Sequence, residues 1–414
     1  AHMSSNQSVI RTQVQLISND QQAINAAYQV ADFALEDRNH RDQNRVLPTE
    51  QIIQFSQKGL GGIRVPQQYG GAFVSNKTLA HVFRILSKAD ANVGQIPQNQ
   101  FGLLNFINIT GSDAQKQFIY SEILAGKRIA NGGPEKNSKD TKAIQTTLRL
   151  ENGQYFLNGE KFYSTGTSFA DWLAIRALHP DGYTVLAIVD RHAAGVEVIN
   201  DWNGFGQQLT ASGTAYFHDV LVDETEILPD DDRFKYSAAY YQLVQLAIIT
   251  GLGRAATYDV SQAVAKRTRN YTHANAQFVK QDPQILQVVG QIRGAAYSAG
   301  AIVEKVAQSL QRAYLAAFQN NEQLEEEQNA LAELESAQSQ TVITDLILNA
   351  STILFDALGA SATDKDLGLD RYWRNVRTLS SHNPRVFKNR IIGDFSVNGT
   401  LPPYQWRIGN VAKQ

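Results

Sequence analysis

The sequence predicts an α+β multidomain fold, in which a middle β domain separates an N-terminal α-helical domain from a C-terminal helical bundle. Three zones of apolar spacing indicate this order. The spacing is helical from about residue 20 to residue 125, alternates with a period of two until about residue 229, and is helical again from about residue 236. A chain of 414 residues is long enough to bury the cores of two or three domains.

The predicted boundaries follow these changes in spacing. Residues 1–19 begin with Ala-His-Met and are interpreted as a tag scar and a flexible N-terminus that does not match a secretory signal peptide. The three domains are then residues 20–128 for the N-terminal helical domain, 129–231 for the middle β-barrel or sandwich, and 232–414 for the C-terminal four-helix bundle.

The N-terminal domain shows the stripes of amphipathic helices. The segment NDQQAINAAYQVADFALED places Ile24, Ala27, Val30, Ala31 and Leu35 on one face. NKTLAHVFRILSKAD repeats this spacing, and SDAQKQFIYSEILAG begins with a Ser/Asp cap and ends at a glycine. We therefore predict a helix over each of these segments.

The middle domain begins with TTLRLENGQYFLNGEKFYSTG, which predicts three strands joined by two hairpin turns. Asn152-Gly153 and Asn158-Gly159 would form the turns, because both residue types tolerate a positive φ. The segments DWLAIRAL, YTVLAIVD, GVEVIND and GTAYFHDVLV continue as strands.

The C-terminal domain contains four long segments rich in Ala, Leu and Gln, with short connections, which predict an up-down bundle. Within the first segment, TGLGRAA (residues 250–256) matches the dinucleotide-binding pattern GxGxxA. No strand precedes it, so we interpret these glycines as a site of close helix packing.

Composition excludes several classes of function. Hydrophobic residues at 43% and charged residues at 19% are typical of a globular protein, and a net charge of -2 argues against a nucleic-acid partner. The chain has no cysteine, which removes thiolate chemistry and is compatible with a cytoplasmic location. No apolar run is long enough to predict a membrane span, and the histidines show no metal-binding spacing.

Four polar stretches could form a site, and each has a plainer interpretation. Trp202, in NDWNGFGQQLTASGT, is either sheet core or a stacking wall for a flat ligand beside a glycine-rich loop. The hydroxyls around Thr165 suit a turn or a ligand edge. RTRNYTH, which contains Arg269, suits a helix end or a phosphate clamp. His382, in RTLSSHNPRVFKNR, suits a helix-end cation or a proton-transfer group.

Seven stretches, taken together and in order from Leu60 to Pro403, resemble one family. They are GLGGIRVPQQYGG, GQIPQNQF, AGKRIANGGPEKNS, LNGEKFYSTGTSFADW, DWNGFGQQLTASGT, LDRYWRNVRTLSSHNP and NGTLPP. The family is the acyl-CoA dehydrogenase-like flavoproteins, in the branch of the SfnB-type sulfur-acquisition oxidoreductases and dibenzothiophene monooxygenases.

The resemblance implies a two-component monooxygenase that forms a homotetramer through the C-terminal bundle. Reduced FMN would be supplied by a separate flavin reductase and would react with O₂ to a flavin hydroperoxide that oxygenates a small organosulfur substrate. The protein would orient the cofactor and exclude water.

The resemblance also assigns roles to individual residues. It places the catalytic groups at His382, which would handle the peroxide proton, at Thr165, and at Gln100, where relatives usually have a histidine. Leu379 replaces a second histidine. The implied cofactor-binding residues are Asn131, Gly133, Tyr163, Thr165, Trp202, Asn375 and Arg269, the last of these reaching the flavin phosphate of a neighbouring subunit.

Two alternatives remain open at the level of sequence. An FAD-dependent acyl-CoA dehydrogenase needs a carboxylate base to remove the α-proton of a thioester. In many of these enzymes the base follows an RYxRD pattern, and here that position is Asn383, whose amide cannot act as the base. The second alternative is a non-catalytic flavin-binding homologue, suggested by the histidines replaced at Gln100 and Leu379.

Overall fold

The computed structural model describes residues 14–132, 145–228 and 234–405, and it confirms the predicted fold class: helices, then a sheet, then helices. The N-terminal helices are α1 (Asp20–Leu35), α2 (Arg38–Asn44), α3 (Thr49–Gln57), α4 (Asn76–Ala89), α5 (Ala91–Gln95), α6 (Gln98–Thr110) and α7 (Asp113–Leu124).

The predicted N-terminal helices begin at the polar caps seen in the sequence. Asn19 Oδ1 accepts a hydrogen bond from Gln22 N at 2.8 Å at the start of α1. At the start of α7, Ser112 Oγ accepts from Gln115 N at 3.2 Å, and Gln115 Oε1 accepts from Ser112 N at 2.8 Å. This reciprocal pair satisfies two N–H groups that would otherwise lack partners at the helix start.

The middle domain is an eight-stranded mixed sheet with the order β6-β7-β3-β2-β4-β5-β8, and β1 pairs with β4 in parallel. The strands are β1 (Ile129–Asn131), β2 (Thr147–Glu151), β3 (Gln154–Ser164), β4 (Trp172–Leu178), β5 (Thr184–Asp190), β6 (Val196–Ile199), β7 (Gly213–Val222) and β8 (Ile227–Leu228).

One of the two predicted hairpin turns is wrong. Asn152 and Gly153 turn with φ of 51° and 75° between β2 and β3, as predicted. Asn158 and Gly159 instead lie inside β3, where the register with β7 shifts. The amide of Asn158 donates to Asp219 Oδ1 and accepts from Asp219 N, both at 3.0 Å. The signal for a turn therefore marks an irregularity in a continuous strand.

The described part of the C-terminal domain contains three long helices and two short ones. They are α8 (Ser237–Lys266), α9 (Pro283–Ala316), α10 (Glu322–Leu358), α11 (Arg371–Leu379) and α12 (Lys388–Asn398). The fourth predicted segment, LDRYWRNVRTLS, forms only the nine-residue α11. Pro384 follows it shortly, and the residue before a proline is disfavoured in a helix.

The TGLGRAA segment lies within α8, in agreement with the packing interpretation. A Cβ on Gly251 would stand 2.7 Å from the carbonyl oxygen of Arg84, so α8 approaches the backbone of α4 closely. A Cβ on Gly253 would meet Ile347 Cδ1 of α10 at 2.8 Å. One cluster of buried apolar residues accordingly runs through both helical domains, while the sheet has its own core.

One helix in the described part of the chain, α10, is long and apolar enough to cross a membrane by length and composition. It packs against α8 and α9 in the bundle, and residues such as Ile343, Ile347 and Leu354 are buried there. We interpret α10 as a core helix of the bundle.

Candidate active site

A chain of three buried hydroxyls lies where β3 ends and β7 begins. Thr165 Oγ1 is 2.8 Å from Ser212 Oγ, which is 2.8 Å from Thr210 Oγ1. Thr210 Oγ1 donates to the carbonyl oxygen of Gln207 at 3.2 Å. A carbonyl oxygen can only accept, and each hydroxyl carries one proton. Ser212 therefore donates to Thr210 and Thr165 donates to Ser212, which leaves the lone pairs of Thr165 for a ligand's donor.

An aromatic wall formed by Tyr163 and Trp202 is built close to these hydroxyls. The two rings meet edge to face, with centroids 5.9 Å apart and planes at 86°. Tyr163 has a φ of 52° at a register shift of β3 and is 65% exposed. A positive φ is unfavourable for a bulky residue, and such strain often occurs at ligand sites. The structure thus brings together two side chains that the sequence placed 39 positions apart.

The loop that follows Trp202 is held from several sides. Trp202 Nε1 donates to the carbonyl oxygen of Gln207 at 2.8 Å. Gln207 Nε2 donates to Gln95 Oε1 at 2.8 Å, and Leu209 N donates to Asn92 Oδ1 at 3.0 Å, so α5 fixes the loop. Its conformation is therefore preorganised by the helical domain.

Asn375, assigned to cofactor contact by resemblance, holds the other side of this loop. It is 4% exposed, and its Oδ1 accepts from Gln207 N at 2.8 Å. In this structure the side chain of Asn375 positions the loop by binding the backbone N–H of Gln207. Direct contact of Asn375 with a cofactor stays a prediction.

Gln100 connects backbone segments and is only 3% exposed. Its Nε2 donates to the carbonyl oxygen of Gly61, and its Oε1 accepts from Ile129 N, both at 3.0 Å. The amide is therefore engaged in joining α6 to the residue 60–62 turn and to β1, and a catalytic role for it stays a prediction. Leu379, at the second replaced histidine, is fully buried in the core.

The neighbour of Gln100 was missed in the sequence analysis. Asn99 Nδ2 donates to the carbonyl oxygen of Thr165 at 3.2 Å and so links α6 to the hydroxyl chain. Gln207 was not singled out either, whereas Thr210 and Ser212 were noted with the glycines of a loop able to approach a flat ligand, without a role for their hydroxyls. Their only sequence signal was a place in the glycine-rich loop already noted for Trp202.

Three other predicted site residues lie elsewhere or outside the described chain. Asn131 ends β1, where it pairs with Ala174 and is half-buried. Gly133 lies outside the described residues. Arg269 is exposed in the connection after α8, where it forms no ion pair with any described residue. Its assignment to a neighbouring subunit's cofactor stays a prediction.

His382 lies at a cavity of about 240 Å³ between the start of α8 and the segment that follows α11. One face of α8 lines it at positions 237, 238, 241, 242 and 245, together with His382, Asn383 and Gln405. The described lining contains four amide side chains, one imidazole and no carboxylate. A base for abstraction of an α-proton is therefore missing from the α8 face as well as from position 383.

Asn383 is fixed firmly beside His382. Its Nδ2 donates to Gln242 Oε1 at 2.7 Å, and its carbonyl oxygen accepts from Gln340 Nε2 at 2.7 Å. The Oδ1 of Asn383 and the Oε1 of Gln245 have no hydrogen-bond partner among the described residues. Both oxygens are therefore available as hydrogen-bond acceptors.

The His382 side chain keeps an exposed surface. Enough protein nevertheless lies around its imidazole to desolvate it in part. Desolvation disfavours the charged form and lowers the pKa of His382 below its ordinary value. His382 is therefore neutral near neutral pH, and one ring nitrogen can accept a proton. In the described structure, no direct contact joins His382 to the hydroxyl chain.

The fold and this site define the class of protein as one with the acyl-CoA dehydrogenase fold. In this chain the described cavity lining has amide side chains where a dehydrogenase would need a carboxylate. Family models support the class independently: "Acyl-CoA dehydrogenase, N-terminal domain" matches residues 18–127, and "Acyl-CoA dehydrogenase, C-terminal domain" matches residues 243–385. The chain belongs to this family.

Individual relatives of one branch of the family are similar to the chain over most of its length. It is 26% identical to dibenzothiophene monooxygenase from Mycolicibacterium goodii, covering 87% of this chain and 90% of that protein. It is 24% identical to "Probable FMNH2-dependent monooxygenase SfnC" from Pseudomonas putida, covering 91% and 94%. The structure of FMN-bound TdsC from Paenibacillus sp. A11-2 superposes with a TM-score of 0.82 at 23% identity, covering 92% and 99%.

Among the described residues, no group of three or more His, Asp or Glu side chains is arranged to hold a metal ion.

Proposed function

We propose that the chain is a two-component flavin monooxygenase that uses reduced FMN and O₂ to oxygenate a small organosulfur substrate. The observation that carries this proposal is the cavity at His382, which offers an imidazole and amides but no carboxylate among its described residues. The names of the relatives in the dibenzothiophene monooxygenase branch support the same chemistry.

The residues at the end of β3 fit a flavin. Tyr163 and Trp202 offer an aromatic wall, and Thr165 offers an acceptor that matches the N–H groups of a reduced isoalloxazine. Asn131 would contribute a further polar contact, and Arg269 of a neighbouring subunit would hold the phosphate in a homotetramer built through the bundle. Reduced FMN, when bound, supplies the electrons that activate O₂.

The protein's own groups then have separate tasks. Thr165 would accept a hydrogen bond from the ring, and its hydroxyl is held in place by Ser212 and Thr210. Neutral His382 accepts or returns a proton at the cavity, a role that suits an imidazole near neutral pH. Gln242 and Asn383 hold each other and orient a polar substrate group.

An isotope experiment distinguishes this function from the two alternatives. The protein is incubated with reduced FMN, labelled O₂ and dibenzothiophene or a small alkylsulfinate, and products are analysed by mass spectrometry. We expect one labelled oxygen atom in the product. Bleaching of bound FAD by acyl-CoA substrates would instead support a dehydrogenase. Flavin binding with neither a labelled product nor bleaching would support a non-catalytic flavin-binding homologue.

The partners and the location are part of the same proposal. A separate flavin reductase would supply reduced FMN by transient exchange, and four copies would assemble through the C-terminal helices. A cytoplasmic location is our prediction for an enzyme that depends on such a reductase.

The dependence of turnover on pH follows from the lowered pKa of His382. A lowered pKa means that the neutral, proton-accepting form persists to a lower pH than for an ordinary histidine, whose pKa is about 6.5. We expect kcat to stay constant as the pH falls to about 6.5 and to decline only below it. If the pH–rate profile instead shows an acidic inflection above about pH 6.5, and His382→Gln lacks it, the pKa of His382 is not lowered and this explanation is contradicted.

The hydroxyl chain gives a prediction for Thr165. Thr165→Val removes the acceptor and the donor to Ser212, so the affinity for reduced FMN should fall by roughly 3- to 10-fold, as expected for one neutral hydrogen bond. Thr165→Ser retains the hydroxyl and serves as the control. Anaerobic titration of reduced FMN measures both. Equal affinities in the two variants would remove Thr165 from cofactor binding.

A further inference from the structure

A second cavity, which we call the basic cavity, lies between α1, α4 and α8 and shares no lining residue with the His382 cavity. Its volume is about 230 Å³. Four basic side chains line it, and they are Arg38, Arg84, Lys88 and Arg254. These basic side chains differ in the partners that they find within the chain.

The charge of Arg38 is neutralised within the chain, and this side chain has a structural role. Its Nη1 donates to the carbonyl oxygens of Lys88 and Ala89 at 3.4 and 3.2 Å, at the C-terminal end of α4. Its Nη2 lies 3.6 Å from Asp259, which also binds Arg371 at 3.2 Å. The second acid of the lining, Asp32, is exposed and pairs with no described basic residue.

Arg84 has no direct partner among the described residues, although Glu304 of α9 lies near enough to raise its pKa. It is only 8% exposed, and its side chain forms no hydrogen bond or ion pair with any described residue. Arg254 lies beside it, because a Cβ on Gly300 of α9 would stand 3.3 Å from Arg254 Nη2 and 3.6 Å from Arg84 Nη1. Arg84 lines the cavity, and two neighbouring cations repel each other, so an anion between them would be favourable.

The charges of Arg84 and Arg254 contribute to lowering the pKa of a neighbouring histidine, His81. Burial, followed by Arg84 and Arg254, lowers the pKa of His81 to about 4, while Glu304 opposes this shift. Burial and Arg254 also lower the pKa of Arg84 itself. Glu304 and Tyr28 oppose the pKa shift of Arg84, but Arg254 influences both groups more strongly than Glu304 does.

We propose that the basic cavity binds a small organic anion with a tetrahedral oxyanion head, such as a sulfonate or a phosphate monoester, held by Arg84 and Arg254. Planar guanidinium groups donate paired hydrogen bonds to such oxygens. The cavity is larger than an oxyanion head requires, and Leu35, Ile85 and the Tyr258 ring offer apolar surface to the rest of the ligand. Lys88 Nζ lies 5.4 Å from the centre of that ring and adds a third cation.

The test measures binding of benzenesulfonate and phenyl phosphate to the flavin-free full-length chain by calorimetry, at constant ionic strength. Inorganic sulfate and phosphate form the second arm, and neutral benzenesulfonamide forms the third. We expect the organic anions to bind most tightly, the inorganic ions more weakly, and the neutral analogue not at all. Because no flavin is present, this result is independent of the proposed monooxygenase function.

Arg254→Gln is the informative variant, because Arg254 is exposed and its replacement should not prevent folding. Affinity for benzenesulfonate should fall by about 10- to 100-fold, as expected for a lost hydrogen bond to a charged group. Arg390→Gln, at an exposed arginine of α12 outside the cavity, is the matched control. Arg84→Lys, which keeps the charge but loses the planar fork, should weaken binding as well.

Three results would overturn the proposal. The first is that neither organic anion binds, and the second is that Arg254→Gln and Arg390→Gln bind benzenesulfonate with equal affinity. The third is that light scattering shows a changed oligomeric mass for Arg254→Gln while its affinity for benzenesulfonate is unchanged. The last would mean that Arg254 pairs with another copy of the chain.

Discussion

Replacing His382 with alanine is expected to lower turnover by about 10²- to 10⁴-fold while leaving the affinity for reduced FMN unchanged, because a positioned acid–base group contributes that much. His382 borders a cavity whose other described polar groups are a phenol, a hydroxyl and amides, and none of them titrates near neutral pH. No neighbour can therefore replace its proton transfer. Steady-state kinetics and an anaerobic FMN titration provide the two measurements.

Two further variants separate proton transfer from other effects of the substitution. His382→Gln keeps hydrogen-bonding capacity but cannot be protonated, so it should lose as much activity as His382→Ala. His218→Ala removes an imidazole that is exposed on β7, outside the cavity, and should leave turnover unchanged. Normal turnover in His382→Gln would show that His382 acts by hydrogen bonding alone.

Gly206→Ala is expected to have the second large effect, on cofactor binding and on stability together. A Cβ at this position would stand 2.0 Å from the carbonyl oxygen of Arg374 and 2.3 Å from Thr378 Oγ1. The loop and α11 must therefore separate, at a cost of about 1–3 kcal/mol for overpacking. This separation strains the hydrogen bond from Gln207 N to Asn375 Oδ1.

Because Gln207 also accepts from Trp202 and Thr210, the wall and the hydroxyl chain should shift with it. We expect the affinity for reduced FMN to fall by about 10-fold or more, the equivalent of about 1.4 kcal/mol. Gly290→Ala is the control, since a Cβ there meets nothing within 4 Å and alanine favours the helix. Intact FMN affinity in a stably folded Gly206→Ala protein would disprove the role given to this loop.

The sequence predicted the three-zone fold because apolar periodicity is a local property that survives in the folded chain. The error at Asn158-Gly159 arose because pairing with Asp219, 61 residues away, decides whether the chain turns or continues. Local turn propensity could not detect that partner. The fourth bundle segment forms only the nine-residue α11, which ends shortly before Pro384.

The site was predicted in part and for a comparable reason. Tyr163, Thr165 and Trp202 were recognised by family resemblance, and the structure places Tyr163 against Trp202. Asn99 and the contact of Ser212 with Thr165 were missed, because these contacts join residues 66 and 47 positions apart. Gln100 was assigned to catalysis by its position, but only the fold reveals that Gly61 and Ile129 already engage both ends of its amide.

The central claim is that this fold holds reduced FMN where it reacts with O₂ under control of the protein. The most direct test mixes the chain with photoreduced FMN, adds air-saturated buffer and follows the flavin absorption by stopped-flow spectroscopy. We predict a long-lived absorption band that belongs to neither reduced nor oxidised FMN. Immediate return to the spectrum of oxidised FMN, at the rate of the free cofactor, would contradict the claim.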